Sequence, residues 1–215
     1  GMPVSFVDTN TFLLHAPLAN AERFHRESEA HVAKHPAATR YLELERAHLA
    51  RTGDYRCSSG LVLDVLGDRR ACAVLGEANG LTRATLKEQL REEGHRDVHV
   101  VDDASAVDRG GWFAGGALLV HVDPLALTPE VWAPIAPALD ALSARSAAAV
   151  FVLYSYTRAA RTEWPRPPIG TTFIAENRGA PHEVAVYASQ ALREVVGAIS
   201  VSLGFRVASA ASATA

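Results

Sequence analysis

Apolar residues in this chain come in short runs, and four of those runs end in a carboxylate. "PVSFVD" closes on Asp8, "ACAVLGE" on Glu77, "DVHVVDD" on Asp102 and Asp103, and "ALLVHVD" on Asp123. Short runs of aliphatic and β-branched residues without polar alternation predict strands buried on both faces. "AAAVFVLYSYT" predicts another such strand, and "EVAVYAS" and "VVGAISVSLGF" predict two last ones. "TTFIAEN" fits a strand or a loop.

Between these runs the pattern changes to a helical period. "SSGLVLDVLG" has a serine cap, an apolar stripe and a closing glycine. "TRATLKEQLREEG" predicts an amphipathic helix capped by Thr82 and stopped by Gly94, and a proline-bearing helix is predicted from about Thr128 to Ser143. The charged stretch from Asn20 to Thr52 predicts two helices divided by Pro36. "TEWPRPPIG" and "RGGWFAGG" predict loops, the second with Trp112 against a sheet edge, and "ASAASATA" predicts a frayed tail.

Strands alternating with helices predict a mostly parallel, doubly wound α/β sheet of seven strands, with an antiparallel strand near the C-terminus. One domain is expected over residues 1–206, with a helical insertion at about 18–54 and a disordered tail at 207–215. In such a sheet ligands bind outside the carboxyl ends of the strands. Asp8, Glu77, Asp102 and Asp123 all fall there, and the last three are 25 and 21 residues apart, one strand–helix unit each. An acid closing the second core strand can accept hydrogen bonds from both hydroxyls of a ribose, which suits Glu77. An acid after the third strand can meet the amine of an adenine, which suits Asp102. Asp123 then sits beside the reacting end of the ligand. The opposing reading is that carboxylates often end strands for solubility alone.

Composition narrows the classes. Of 215 residues, 48% are hydrophobic and 21% charged, which fits a globular chain and not a disordered one. A net charge of −3 lacks the overall basic footprint of a nucleic-acid binder, although Arg158, Arg161, Arg166 and Arg178 fall near one rim and leave a local patch open. Cys57 and Cys72 have no metal-type spacing and read as packing residues. No apolar run nears the roughly 20 residues that cross a bilayer, and the N-terminal stretch lacks signal-peptide character, so a cytoplasmic location with no membrane partner is expected. His25, His31 and His35 come without an H-E-x-x-H motif and read as a solvated helix face. Ser58 and Ser59 lie in no G-x-S-x-G elbow.

The order of these features resembles a class I S-adenosylmethionine-dependent methyltransferase, and more narrowly the RlmJ/YhiR type that methylates adenine N6 in large-subunit ribosomal RNA. "FVDTNTFLLHAP" keeps the Asp-Thr of that family's first motif as Asp8-Thr9, and "RTGDY" (Arg51 to Tyr55) is similar to a piece of its helical insertion. "YRCSSGLVL" puts Ser59 on the serine of the cofactor loop, "VLGEAN" puts Glu77 on the ribose acid, and "LLVHVDPLA" matches the catalytic "LILIDPPY". The resemblance implies a Rossmann-like methyltransferase fold and S-adenosylmethionine or S-adenosylhomocysteine as ligand. It implies Asp8 and Ser59 on the methionine side, Glu77 on the ribose, Asp102 on the adenine side, and Asp123 with Pro124 at the acceptor. RNA, or another nucleic-acid base amine, is the implied substrate.

The chain also departs from that pattern. The loop "TNTFLLHAP" has no glycine to let backbone approach a cofactor, and the family's segment before the first strand has no counterpart. Leu125 and Ala126 replace the second proline and the aromatic of the catalytic motif. Stacking on a ring contributes about 1–3 kcal/mol per base, so weak or absent adenine-N6 methylation of ribosomal RNA is expected unless Tyr154, Tyr156 or Trp164 supplies the ring. These departures support a second reading, a catalytically inactive relative that keeps the fold as a binding or interaction module. A Rossmann enzyme for another nucleotide ranks last, because no phosphate-binding glycine loop is present.

Overall fold

The computed structural model describes residues 2–17, 39–108, 111–113, 115–124, 127–155, 164–178 and 183–208. The first strand, β1 (Val4–Asp8), is hydrogen-bonded on both sides by parallel neighbours, β4 (Arg70–Gly76) and β6 (Ala117–Val122). Outside them lie β5 (Val98–Val101) next to β4, and β7 (Ala148–Ser155) next to β6, both parallel as well. Beyond β7 come β9 (Glu183–Ser189), β8 (Thr171–Asn177) and β10 (Arg206–Val207), giving the order β10-β8-β9-β7-β6-β1-β4-β5. β9 runs antiparallel to both β7 and β8. A short antiparallel ribbon, β2 (His15–Ala16) with β3 (Tyr55–Arg56), stands apart from this sheet.

Neighbouring residues of one strand enter different cores, because successive side chains point to opposite faces. Phe6, Ala73 and Leu75 pack with Leu63 and Leu66 of α2 (Ser58–Leu66) and with Leu86 and Leu90 of α3 (Gly80–Glu92). Val7 and Val74 go to the other face, where Ile135, Leu139 and Leu142 of α4 (Pro129–Ser143) meet Val120 and Phe151. The chain therefore winds outward from β1 on one face and from β6 on the other. The crevice between the carboxyl ends of β1 and β6 is the switch point where ligands bind in such sheets.

Several local expectations need correction. "VVGAISVSLGF" is mainly helix, α5 (Arg193–Ser202), followed by the edge strand β10. Its β-branched residues favour a strand, but Leu192, Val196 and Phe205 pack on Ile174, Ala175 and Ala188 of the sheet, and that packing decides. Among the described residues the main sheet has eight strands rather than seven, because β8 is a full strand and β10 adds an edge. Val207 and Ala208, assigned to the tail from sequence, pair with Ala175 and with the Ile174 carbonyl. α3 is capped by Asn79, whose side chain accepts from the N–H groups of Leu81 and Thr82, and not by Thr82. α2 has Cys57 at its cap without a side-chain bond, so Ser58 and Ser59 are helical rather than capping residues.

Other expectations match. The proline-bearing helix predicted from about Thr128 to Ser143 is α4, which the structure shows capped by Thr128 through Val131 N–H, and Trp112 stacks on His99 of edge strand β5 at 4.5 Å between ring centres. Of the charged insertion, α1 (Thr39–Thr52) is a helix, whereas Pro36 and the three histidines before it lie outside the described residues. No described helix is long and apolar enough to cross a membrane.

Candidate functional site

The four acids stand at one edge of the sheet because their strands are parallel neighbours in register. Asp8 ends β1, while Glu77, Asp102 and Asp123 directly follow β4, β5 and β6. They differ in what they touch. Asp8 is 1% exposed, and its carboxylate accepts from Asn10 N–H at 3.1 Å, from the Ser59 hydroxyl, and contacts His121 Nδ1 at 3.3 Å. Burial pushes its pKa up, but the charge and hydrogen bond of His121, with those from Ser59 and Asn10, outweigh burial and hold it below the usual value. Glu77 is half-buried, and one of its oxygens accepts from Asn79 N–H at 2.7 Å. Asp102 is exposed, and its neighbour Asp103 turns back to cap a short 3₁₀ turn through Ser105 N–H.

Two close backbone approaches shape the switch point. Thr9 N–H donates to the His121 carbonyl at 3.0 Å, and Thr11 N–H to the Gly76 carbonyl at 2.8 Å, so the loop after β1 bridges the ends of β6 and β4. A Cβ on Gly76 would lie 2.7 Å from the Thr9 carbonyl oxygen, which is why β4 ends in glycine.

Beside this loop lies a cavity of about 500 Å³ lined by Phe12, Tyr41, Tyr55, Ser59, Asp123 and Tyr154, with His121 among its other walls. Glu77 and Asp102 are not among its lining residues; they lie further along the same rim. Pro124 is buried next to Asp123. Burial, reinforced by the Asp123 charge, pushes the Tyr154 hydroxyl up to about 12, so it is a neutral donor in the working range. Burial likewise raises Tyr55, with Tyr41 and Glu45 adding, and raises the Cys57 thiol to about 11, which suits a packing role and not a nucleophile. Of the rings considered to replace the missing aromatic, Tyr154 is in the cavity wall; Trp164 instead donates to Glu176 at 2.8 Å, and Tyr156, Leu125 and Ala126 lie outside the described residues. Of the rim arginines, Arg166 pairs with Asp140 and Arg178 with Glu176, while Arg158 and Arg161 lie outside the described residues.

Behind the cavity an ion cluster fixes β3 and α2. Arg56, 1% exposed, forks onto Asp64 at 2.8–2.9 Å and onto Glu93 at 2.6–2.8 Å. Its neighbours in sequence, Tyr55 and Cys57, are thereby held in the cavity wall. Gly60 leaves room for the fork, since a Cβ there would sit 2.7 Å from Arg56 Nε. Sequence reasoning missed Arg56, Tyr41, Tyr55 and His121. His121 did leave a signal, being the one polar residue in an apolar strand; Tyr55 and Arg56 gave none beyond the end of "RTGDY" and the residue after it, and Tyr41 gave none beyond its place in the charged stretch. Among the described residues no cluster of ligands suits a metal ion.

No protein-family model matches the chain, and no curated protein matches it. Among solved structures, LPL1258 from Legionella pneumophila, labelled DUF519, is 11% identical over 97% of this chain and 89% of that one, with a TM-score of 0.57. A conserved hypothetical protein from Streptococcus pyogenes is 14% identical over 88% of both chains, with a TM-score of 0.50. A looser likeness, TM-score 0.42, is to an rRNA methylase from Streptococcus thermophilus, 7% identical over 60% of this chain and 82% of that one. At such identities the first two likenesses establish fold alone. The chain has a Rossmann-like, doubly wound α/β fold with an antiparallel strand near its C-terminus.

Proposed function

We propose that the chain is an S-adenosylmethionine-dependent methyltransferase-like protein whose acceptor is a base amine of RNA or another nucleic acid. The observation that carries this reading is the single cavity wall that joins Asp123 and Ser59 to the rings of Phe12, Tyr41, Tyr55 and Tyr154 at the switch point. A carboxylate among flat rings can accept from an amine while a ring stacks on the base that carries it.

The donor set fits the cofactor chemically. Glu77, half-buried at the end of β4, would accept from the ribose hydroxyls, and Asp102, exposed after β5, would lie on the adenine side. Ser59, backed by Asp8, would lie on the methionine side. When bound, S-adenosylmethionine supplies an electrophilic methyl group on a sulfonium. The chain's own residues then mainly position the acceptor: Asp123 accepts from its amine, Pro124 stiffens the strand exit, and Tyr154 offers a face and a neutral hydroxyl.

A second reading is favoured by the loop after β1. It has no glycine, and its backbone packs directly on Gly76, which suits a chain that keeps the fold as an inactive binding module. Calorimetry with S-adenosylmethionine and S-adenosylhomocysteine separates the two. Saturable binding supports the methyltransferase; no heat at millimolar ligand supports the module. A soluble, cytoplasmic setting suits either reading.

A further inference from the structure

We propose that His121 is a positioning residue of the rim site, its imidazolium ring bridging Asp8 and Asp123 across the switch point and fixing the Asp123 carboxylate in the cavity wall. The inference deepens the proposed function and rests on it for the role of Asp123, but its geometry is independent of any ligand. His121 Nδ1 lies 3.3 Å from Asp8 Oδ2, and His121 Nε2 lies 3.9 Å from Asp123 Oδ2. The first is a weak hydrogen bond and the second a charge contact.

The arrangement follows from the strands. β1 and β6 are paired in register with Asp8 opposite His121, so the ring reaches the Asp8 carboxylate directly. Asp123 is two residues further on, just past the end of β6, and meets the other ring nitrogen. Without a cation at the ring they share, two largely buried carboxylates, 2% and 14% exposed at the side chain, would both lose their counter-charge at the switch point. Like charges so placed disfavour joint ionisation, and one acid would take up a proton. A protonated Asp123 would lose an acceptor, which the proposed amine contact needs.

The groups facing His121 are consistent with a charged ring. Asp8 comes from β1 and Asp123 from the exit of β6, while Tyr154 from β7 and Tyr55 and Cys57 across the cavity are neutral in the working range. Burial opposes the charge on His121, but Asp8, by charge and hydrogen bond, and then Asp123, by charge, hold its pKa above 6.5. A purely structural histidine would need only the Asp8 contact. The distinguishing mark of the bridge is coupling to Asp123.

Proton–carbon NMR of the histidine rings reads that coupling, with the His121 signal identified by its loss in His121→Gln. In the unsubstituted protein its titration midpoint is expected above 6.5. In Asp123→Asn the midpoint should fall by about 1 unit, and in His121→Gln the carboxyl carbon of Asp123 should titrate correspondingly higher. Asp8→Asn should lower the His121 midpoint as well; if that variant fails to fold, the Asp123→Asn and His121→Gln pair still decides. A His121 midpoint that is unchanged in Asp123→Asn overturns the proposal. Calorimetry of the same samples with S-adenosylmethionine keeps the two claims apart. Absent binding with the reciprocal shifts intact would overturn the methyltransferase reading and leave the bridge standing.

Discussion

Arg56 has two carboxylate partners and almost no exposed surface, so its removal strands charge rather than merely deleting a contact. Asp64 and Glu93 are themselves only 29% and 20% exposed at the side chain. Arg56→Met should lower unfolding free energy by about 3–5 kcal/mol in denaturant titration, the cost of breaking one side of a buried pair. A loss within the range of an ordinary surface substitution would mean that the fork is dispensable. The same cluster sets opposite pH dependences. For Glu93, burial raises the pKa, yet His95 and Arg56 outweigh it and bring the carboxyl down to about 2. Its stabilisation is therefore complete above its ordinary 4.5 and lost as pH falls toward 2. Glu45 behaves in the reverse sense. Burial, with the Asp64 charge adding, pushes it up to about 7 despite Arg56, and its Oε1 has no hydrogen-bond partner among the described residues. Folding then favours the protonated form, and stability declines as pH rises from 4.5 through 7. Glu45→Gln should remove that decline and raise stability at alkaline pH by something on the order of 1–3 kcal/mol. Thermal melts of both proteins across the neutral range test it, and parallel curves would contradict it.

At the level of elements, the packing of the β1 loop on the end of β4 is the most exacting contact near the site. Gly76→Ala would put a methyl 2.7 Å from the Thr9 carbonyl, and backbone cannot swing aside as a side chain can. The expected cost is about 1–3 kcal/mol, with the loop and Asn10 displaced from Asp8. Unchanged stability together with an unchanged His121 signal would mean that the loop yields freely. Strands buried on both faces were legible because their apolar runs are continuous: β1, β6 and β7 fall within the predicted segments, and β4 starts one residue before its own, at Arg70. α5 was not legible, since Val195, Val196, Ile199 and Val201 have strand-forming side chains, and of these Val196 packs on the sheet while Val195, Ile199 and Val201 are exposed. Asp8, Glu77, Asp102 and Asp123 could be read as strand ends from sequence. Which of them line the cavity could not, because Tyr41, Tyr55 and Phe12 arrive there from segments distant in sequence.

For the whole molecule, the account has one parallel sheet gathering carboxylates at its carboxyl edge, with an aromatic cavity at the switch point. Glu77 is the rim acid most exposed to a decisive test, because its proposed partner is a ribose and its carboxylate already meets the Asn79 N–H without burial of the whole side chain. Losing a pair of charge-assisted hydrogen bonds should cost about 1.5–3 kcal/mol, roughly 10- to 150-fold in affinity. The most direct measurement is therefore titration calorimetry of S-adenosylmethionine into the unsubstituted protein and into Glu77→Ala, with melts confirming that both are folded. The account predicts saturable binding that weakens by that factor in the variant. Absence of binding to the unsubstituted protein at millimolar cofactor, or equal affinity in both, would contradict it.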